Sequence, residues 1–553
     1  MTAVLEIERS PVRTPVVSPV RESRWRHHRK SLYVLTPLLV LAGFVNGWNL
    51  HGWPGRINDD EGTYVNQAWA MLDHGGLSHY TYWYDHPFLG WAIIAGYAGV
   101  TDGFDRAPSA VMVGREVMLI SALISCALLF LLARRLRFNR AWSGVAVFVF
   151  AVSPLAVFFH RMVFLDNLAT MFILAAFAAA ASPRRSVGAS LWSAIWFASA
   201  ALCKETIVIL LPALVWLLVQ HTSRRTRVWN LGVFFVSFAV LVASYPVFAL
   251  LKNELLPGEG HVSLGWALWW QVFGRSGSGS LLDPTSGTFS LAKSWTDLDP
   301  WLLLPGVALI PVGLAVRRFR PIGLALLIQV VMMCRGGYMP FAYVIALLPF
   351  AALLIAGAGD VLWTRRSPLS GARLPVVPSV SGARLPVVSS LSRARLRFIS
   401  SFSRARLRFV SSFSRARLPV VATAGVLAAL LVLPGWVTTL RDQAKFDGSA
   451  NSRAATRWVI DNVGRDAVVV TDDYIWMDLK LAGFTKPVWL WKVDTDPAVM
   501  ADILPAGAAS IDYIVMADQA VSTLADLPTL HRGVVESTEV VRFGEVIIRK
   551  VHA

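Results

Sequence analysis

The chain has 553 residues, 55% of them hydrophobic, and a formal net charge of +17. Many apolar residues fall in runs long enough to cross about 30 Å of hydrocarbon as helices, which excludes an ordinary soluble domain. The basic residues gather in the connectors between those runs. That bias is what positive-inside insertion produces, and it excludes nucleic-acid binding as the reason for the charge.

In chain order, residues 1–30 form a basic, cytosolic N-terminus that precedes a first apolar segment, 31–50. No cleavage site follows that segment, so it reads as a retained helix. The outer loop 51–107 is rich in acids, and its only bases are Arg56 and Arg106. Crossings follow over 108–133, 141–159, 163–181, 187–202, 205–221 and 229–251. After a second outer loop, 252–299, come 300–316, 320–334 and 339–360, and a last helix spans 420–440. This is a polytopic α-helical membrane protein of about eleven transmembrane helices, with every basic connector on the cytosolic side. The run "PFLGWAIIAGYAGV", residues 87–100, is too short to cross and reads as an interfacial or re-entrant segment of the outer loop.

Residues 361–419 form a basic cytosolic loop in which an eleven-residue unit recurs five times from Ser370. It reads either as a repeat expanded in a tolerant loop or as a polybasic strip on anionic lipid. Residues 441–553 differ in texture. "AVVVTD", "PVWLW", "IDYIVM" and "VVRFGEVIIRK" read as strands, and "NSRAATRWVIDNV" and "YIWMDLKLAG" as helices, which predicts a small extracytoplasmic α/β domain. Cys126, Cys203 and Cys334 follow no metal or disulfide spacing.

Chemistry concentrates in the outer loops. In "RINDDEGTYVNQAWAML", Asp59, Asp60 and Glu61 stand before a run of helical period. Acids at a helix start oppose the dipole and cap free N–H groups, which accounts for one or two of the three. A second polar cluster, Asp85 and His86 in "YWYDHPFLGW", lies nearby. Two such loops make a polar site at the membrane interface, suited to a substrate with a lipid tail and a polar reactive head. Asp166, in "FFHRMVFLDNLAT", sits one turn into an apolar helix. A carboxylate there is costly unless paired, so it is either functional or an ion pair with Arg161. Lys204 is read as a functional cation, a partner of Glu205 or a snorkelling side chain. Arg335 precedes two glycines that would let a ligand approach the backbone. In "GEGHVSLGWALWW", Trp266, Trp269 and Trp270 suit an interfacial helix, and His261 could join Asp85 on a cation. Asp472 and Asp473 follow a strand, where they either contact a ligand or cap the next helix.

"DDEGTYVNQAWAML" followed by "YDHPFLGW" resembles the first outer loop of the GT-C glycosyltransferases, in particular the protein O-mannosyltransferase and lipid A aminoarabinose transferase group. The resemblance covers roughly residues 31–350. It implies inverting transfer of a sugar from a polyprenyl-phosphate donor to a protein, lipid or polysaccharide acceptor outside the cytoplasm; separately, a C-terminus that reads as secreted yet carries no disulfides leads to the expectation of a bacterial plasma membrane. On that analogy Asp60 is the general base, Asp59 its rival, Glu61 a supporting group, and Asp166 a further acid of the site. Asp85 would hold a divalent cation, if one is used, with His261 as a second ligand. His86, Lys204, Arg335 and Arg161 would meet the donor phosphate. His86 stands where relatives carry a basic residue, commonly Lys, and Phe88 replaces a usual second Pro, which puts those two roles in doubt. Two other classes stay open. A transporter or flippase predicts ionisable groups at mid-membrane and repeated halves. A scaffold would work through residues 441–553.

Overall fold

A computed structural model describes residues 24–52, 59–258, 261–364, 417–518, 524 and 526–552. The repeat segment up to residue 416 lies outside the described residues, as do Arg56 and Asn58.

Helix α1 (Arg24–Gly47) leads to α2 (Asp59–Asp73), whose first turn holds all three acids. An extended segment then reaches α3 (Leu89–Thr101) and the short α4 (Gly103–Arg106). Next come α5 (Ala110–Arg135), α6 (Arg140–Val152), α7 (Pro154–Arg161), α8 (Leu165–Ala180) and α9 (Val187–Cys203). A tight turn, Glu205–Leu210, opens α10 (Leu211–His221), and α11 (Arg227–Val242) continues into α12 (Ser244–Leu251). The second outer loop carries α13 (Leu264–Trp269), prolonged by one wide turn to Gly274, and α14 (Gly287–Leu298). Then follow α15 (Pro300–Ala308), α16 (Ile310–Ala315), α17 (Arg320–Met333), α18 (Leu348–Thr364) and the long α19 (Arg417–Lys445).

Among the described residues, five helical segments are long and apolar enough to cross a bilayer: Arg29–Gly47, Ala110–Arg135, Arg227–Leu251, Phe341–Trp363 and Gly425–Asn462. A sixth is added if α6 and α7, bent by 62° at Ser153, count as one. The expectation of eleven is therefore not met by length. Helix α8 has 16 residues, and at 1.5 Å per residue it reaches roughly 24 Å, short of the ~30 Å core. Segment 87–100, expected not to cross, forms α3, 13 residues long.

After α19 the chain forms α20 (Ala450–Asn462), β1 (Val468–Thr471), α21 (Asp473–Leu481), β2 (Lys486–Trp489), β3 (Tyr513–Ala517), α22 (Pro528–Val535), β4 (Ser537–Phe543) and β5 (Val546–Val551). One sheet runs β2-β1-β3-β5-β4. Strand β1 is parallel to both β2 and β3, β5 is antiparallel to β3, and β4 and β5 form a hairpin. The inner strands are Val- and Ile-rich and buried, as strands covered on both faces must be.

This C-terminal unit is fastened to the first outer loop. A Cβ on Gly62 of α2 would lie 2.3 Å from the backbone nitrogen of Tyr474, so the two helices meet backbone to backbone. Asp478 accepts the Ala110 N–H at 2.9 Å, the first amide of α5. Asp496 accepts both the backbone N–H (3.1 Å) and the hydroxyl (3.0 Å) of Thr81, and pairs with buried Lys492 at 3.0 Å.

Candidate functional site

The first turn of α2 opens onto a cavity of about 390 Å³. Asp59 and Asp60 present exposed carboxylates there, and Thr63 and Tyr64 follow one turn later on the same face. The extended segment before α3 adds Trp83, Asp85 and His86. Helix α13 and its wide turn add Trp266, Trp270, Gln271 and Arg275, and the C-terminal unit adds Asp473, Trp491 and Thr495.

Behind His86 lies a chain of ionisable groups. Lys204 Nζ is 2.7 Å from His86 Nε2 and 3.9 Å from Asp166 Oδ2, and His86 Nδ1 is 3.1 Å from Glu205 Oε2. An ammonium has only protons to give, so Nε2 accepts and Nδ1–H is directed at Glu205. The partner of Asp166 is thus Lys204, at the end of the next helix, and not Arg161. Tyr64 lies among these acids. Burial first, then the charges of Asp60, Asp166, Asp85 and Glu205, hold its phenol well above the usual tyrosine range.

The two exposed acids of α2 face different neighbours. The charge of Asp60 acts on Tyr64, whose ring lies 5.9 Å from that of His86. Asp59 acts on Asp473 and Tyr474 of the C-terminal unit. Asp473 is itself buried. Its Oδ2 accepts the Thr63 hydroxyl and, at 3.1 Å, the Trp491 indole N–H. Burial first, then the charge of Asp59, push its carboxyl well above the ordinary range.

Glu61 does not reach the cavity. It is buried against Arg115, with Nε to Oε1 at 2.8 Å and Nη2 to Oε2 at 2.9 Å, and it also accepts the Val163 N–H at 3.1 Å. Three expected contributors lie elsewhere. Arg161 donates to the carbonyls of Val45, Trp48 and Asn49. It caps the end of α1, whose last carbonyls have no helical partner. Arg335 is exposed and folded over Gly337, outside the cavity lining, because the glycines that would admit a ligand admit its own side chain. The cation that does line the cavity is Arg275, its guanidinium 3.5 Å from the Tyr338 ring centroid and bonded to Gln271 at 3.2 Å. His261 sits in a loop with Nδ1 against the Val262 carbonyl, away from Asp85. Among the described residues no three His, Cys, Asp or Glu side chains converge as a metal site. Asp85 lines the cavity and His261 is not among its lining residues.

Residues 85–249 match the family described as dolichyl-phosphate-mannose-protein mannosyltransferase. A comparison with curated proteins finds no match. Among solved structures, the fold is similar to ArnT from Cupriavidus metallidurans bound to undecaprenyl phosphate, with 14% identity and a TM-score of 0.58 over 94% of this chain and 97% of that one. The Archaeoglobus fulgidus oligosaccharyltransferase in its apo form is also similar, with 12% identity and a TM-score of 0.52 over 92% of this chain and 73% of that one. The chain shares its fold with these two solved structures.

Proposed function

We propose that the chain is an inverting glycosyltransferase that moves a sugar from a polyprenyl-phosphate donor to an acceptor hydroxyl on the extracytoplasmic face of a membrane. The observation that carries this reading is the cavity at the start of α2. There two solvated carboxylates, Asp59 and Asp60, stand opposite His86 and Arg275. The solved relative bound to undecaprenyl phosphate supports the donor class. The acid-rich outer loop, set against basic connectors, supports the orientation.

In this reading Asp60 is the general base and Asp59 the alternative. The Asp60 charge is felt by Tyr64, whose ring lies 5.9 Å from that of His86, and the Asp59 charge by Asp473. The acceptor oxygen attacks the anomeric carbon from the side opposite the phosphate. The bond from that carbon to the phosphate oxygen breaks, and its electron pair leaves on polyprenyl phosphate. The acceptor proton passes to Asp60. Backside displacement inverts the anomeric centre. Arg275 stabilises the phosphate as its charge grows, and the Lys204 charge behind His86 adds to the positive field there. Asp60 lies in the first turn of α2, in a segment whose composition reads as outside the bilayer, and that reading favours transfer over transport.

The test is turnover in vesicles with a panel of polyprenyl-phosphate sugars, comparing the native chain with Asp60→Asn. Loss of roughly 10²–10⁴-fold in the variant is expected for removal of a general base. Equal turnover would remove Asp60 from that role. Activity with a nucleotide sugar alone would overturn the donor assignment.

A further inference from the structure

The C-terminal unit contributes more to the cavity than a distant wall. Strand β1 is the point where the sheet order turns, because the chain adds β2 on one side of it and β3 on the other. In open α/β sheets the crevice outside the carboxyl ends of the strands at such a point is where ligands are held. Asp473 follows the carboxyl end of β1 and Trp491 that of β2, and both line the cavity. The contact of Gly62 with Tyr474 and the bond from Thr63 to Asp473 join this edge to the turn that carries Asp59 and Asp60.

The hydrogen bonds on Asp473 give it a direction. Oδ2 takes two donors, the Thr63 hydroxyl and the Trp491 N–H, while Oδ1 has no partner among the described residues. Oδ1 is the oxygen left for a ligand. Burial and the Asp59 charge favour the acid form. With two donors already on Oδ2, the proton belongs on Oδ1, where it can be given to a ligand oxygen. Beside it stands the indole of Trp491, and Trp83, Gln271 and Thr495 line the same cavity. Apolar ring surface with a few oriented donors and acceptors suits a ligand with apolar C–H faces and hydroxyl edges. The neighbouring charge of Asp59 disfavours an anion.

We propose that Asp473 and Trp491, supplied by the C-terminal unit, form the acceptor subsite of the transfer cavity, and that this subsite takes a neutral saccharide. The inference rests on the transferase reading above. Asp473 holds the acceptor sugar by a neighbouring oxygen, and Asp60 takes the proton of the hydroxyl that reacts.

The experiment uses the full chain in lipid nanodiscs with a polyprenyl-phosphate sugar, reading released polyprenyl phosphate and glycosylated acceptor separately. The acceptor probes are neutral oligosaccharides and a Ser/Thr-containing peptide. Asp473→Leu and Trp491→Leu are expected to raise the oligosaccharide KM by roughly tenfold or more, the worth of one buried hydrogen bond or stacking contact. Donor KM should stay near the native value for both, the thermal midpoint should stay near native for Trp491→Leu and fall for Asp473→Leu, and Asp473→Asn, whose amide can still donate, should recover part of the acceptor loss. An unchanged oligosaccharide KM overturns the subsite. So does a parallel loss of donor KM, acceptor KM and midpoint, which marks a purely structural role. Transfer to the peptide in preference to the oligosaccharides overturns the acceptor class. Native protein that releases no polyprenyl phosphate from any donor overturns the transferase reading itself, and that result is visible before any variant is compared.

Discussion

Arg115 grips Glu61 through both carboxylate oxygens, at 2.8 and 2.9 Å, and both side chains are buried. The remaining Arg115 nitrogen donates to the carbonyls of Leu50 (3.1 Å) and His51 (3.0 Å). One guanidinium thus ties the end of the first span, the start of α2 and α5 into a single corner. Removing one partner of a buried pair leaves the other charge unpaired, which costs about 3–5 kcal/mol. Glu61→Gln and Arg115→Met should each lower the thermal midpoint in detergent by many degrees. Glu61→Leu combined with Arg115→Met should recover much of the loss, because no lone charge remains. Two single variants with native midpoints would show that the pair does not hold this corner.

What the sequence reveals of the site follows distance along the chain. Asp59, Asp60, Asp85 and His86 are visible because they flank short amphipathic runs within one loop, and the fold brings these four to one cavity. Asp473 is marked in the sequence by its place after a strand but not tied there to this cavity, and Trp491 and Arg275 reach it from separate segments that no local pattern marks. The arginines were exchangeable on paper. Which one caps α1, which pairs with Glu61 and which faces the cavity depends on how helices cross, not on the residues beside each arginine. The count of eleven spans is not confirmed for a related reason. Mean apolarity marks a buried helix and a membrane span alike, and only length separates them.

Gly62 has a second role beyond helix start. With a Cβ 2.3 Å from the Tyr474 nitrogen and 2.5 Å from the Asp473 carbonyl carbon, Gly62→Ala forces two backbones apart. Neither neighbour is a flexible side-chain tip, so the strain has no cheap relief. The variant should expose the C-terminal unit to limited proteolysis and lower stability by about 1–3 kcal/mol. Protection equal to that of the native chain would mean that α2 and α21 can slide without cost.

Lys204 links Asp166 to His86, and His86 faces the cavity. In the transferase reading its positive charge is felt by the donor phosphate through one imidazole. Lys204→Met should raise donor KM by roughly ten- to a hundredfold, the loss expected for a charge-assisted hydrogen bond, and leave acceptor KM within about twofold. The check is initial-rate kinetics with each substrate varied in turn. An effect on the acceptor alone would place the phosphate elsewhere.

Docking of the C-terminal unit should weaken as pH rises, and Asp478 is the reason. Burial pushes its carboxyl up to about 6, even though Ala110 and Ser109 hydrogen-bond to it. A carboxyl raised in the folded state binds its proton more tightly there than in the unfolded chain. Its stabilising contribution is complete below the ordinary aspartate range near 4 and is lost as pH climbs through 6. The shift from 3.8 to about 6 corresponds to a change on the order of 3 kcal/mol across that window. Asp478→Asn keeps an oxygen for the Ala110 amide and has nothing to ionise. Thermal midpoints measured from pH 4.5 to 7.5 should therefore fall more steeply for the native chain than for Asp478→Asn, with the variant the more stable of the two at pH 7.5. Parallel profiles would assign the pH dependence to another group, the first to examine being Asp473, whose carboxyl burial raises in the same direction.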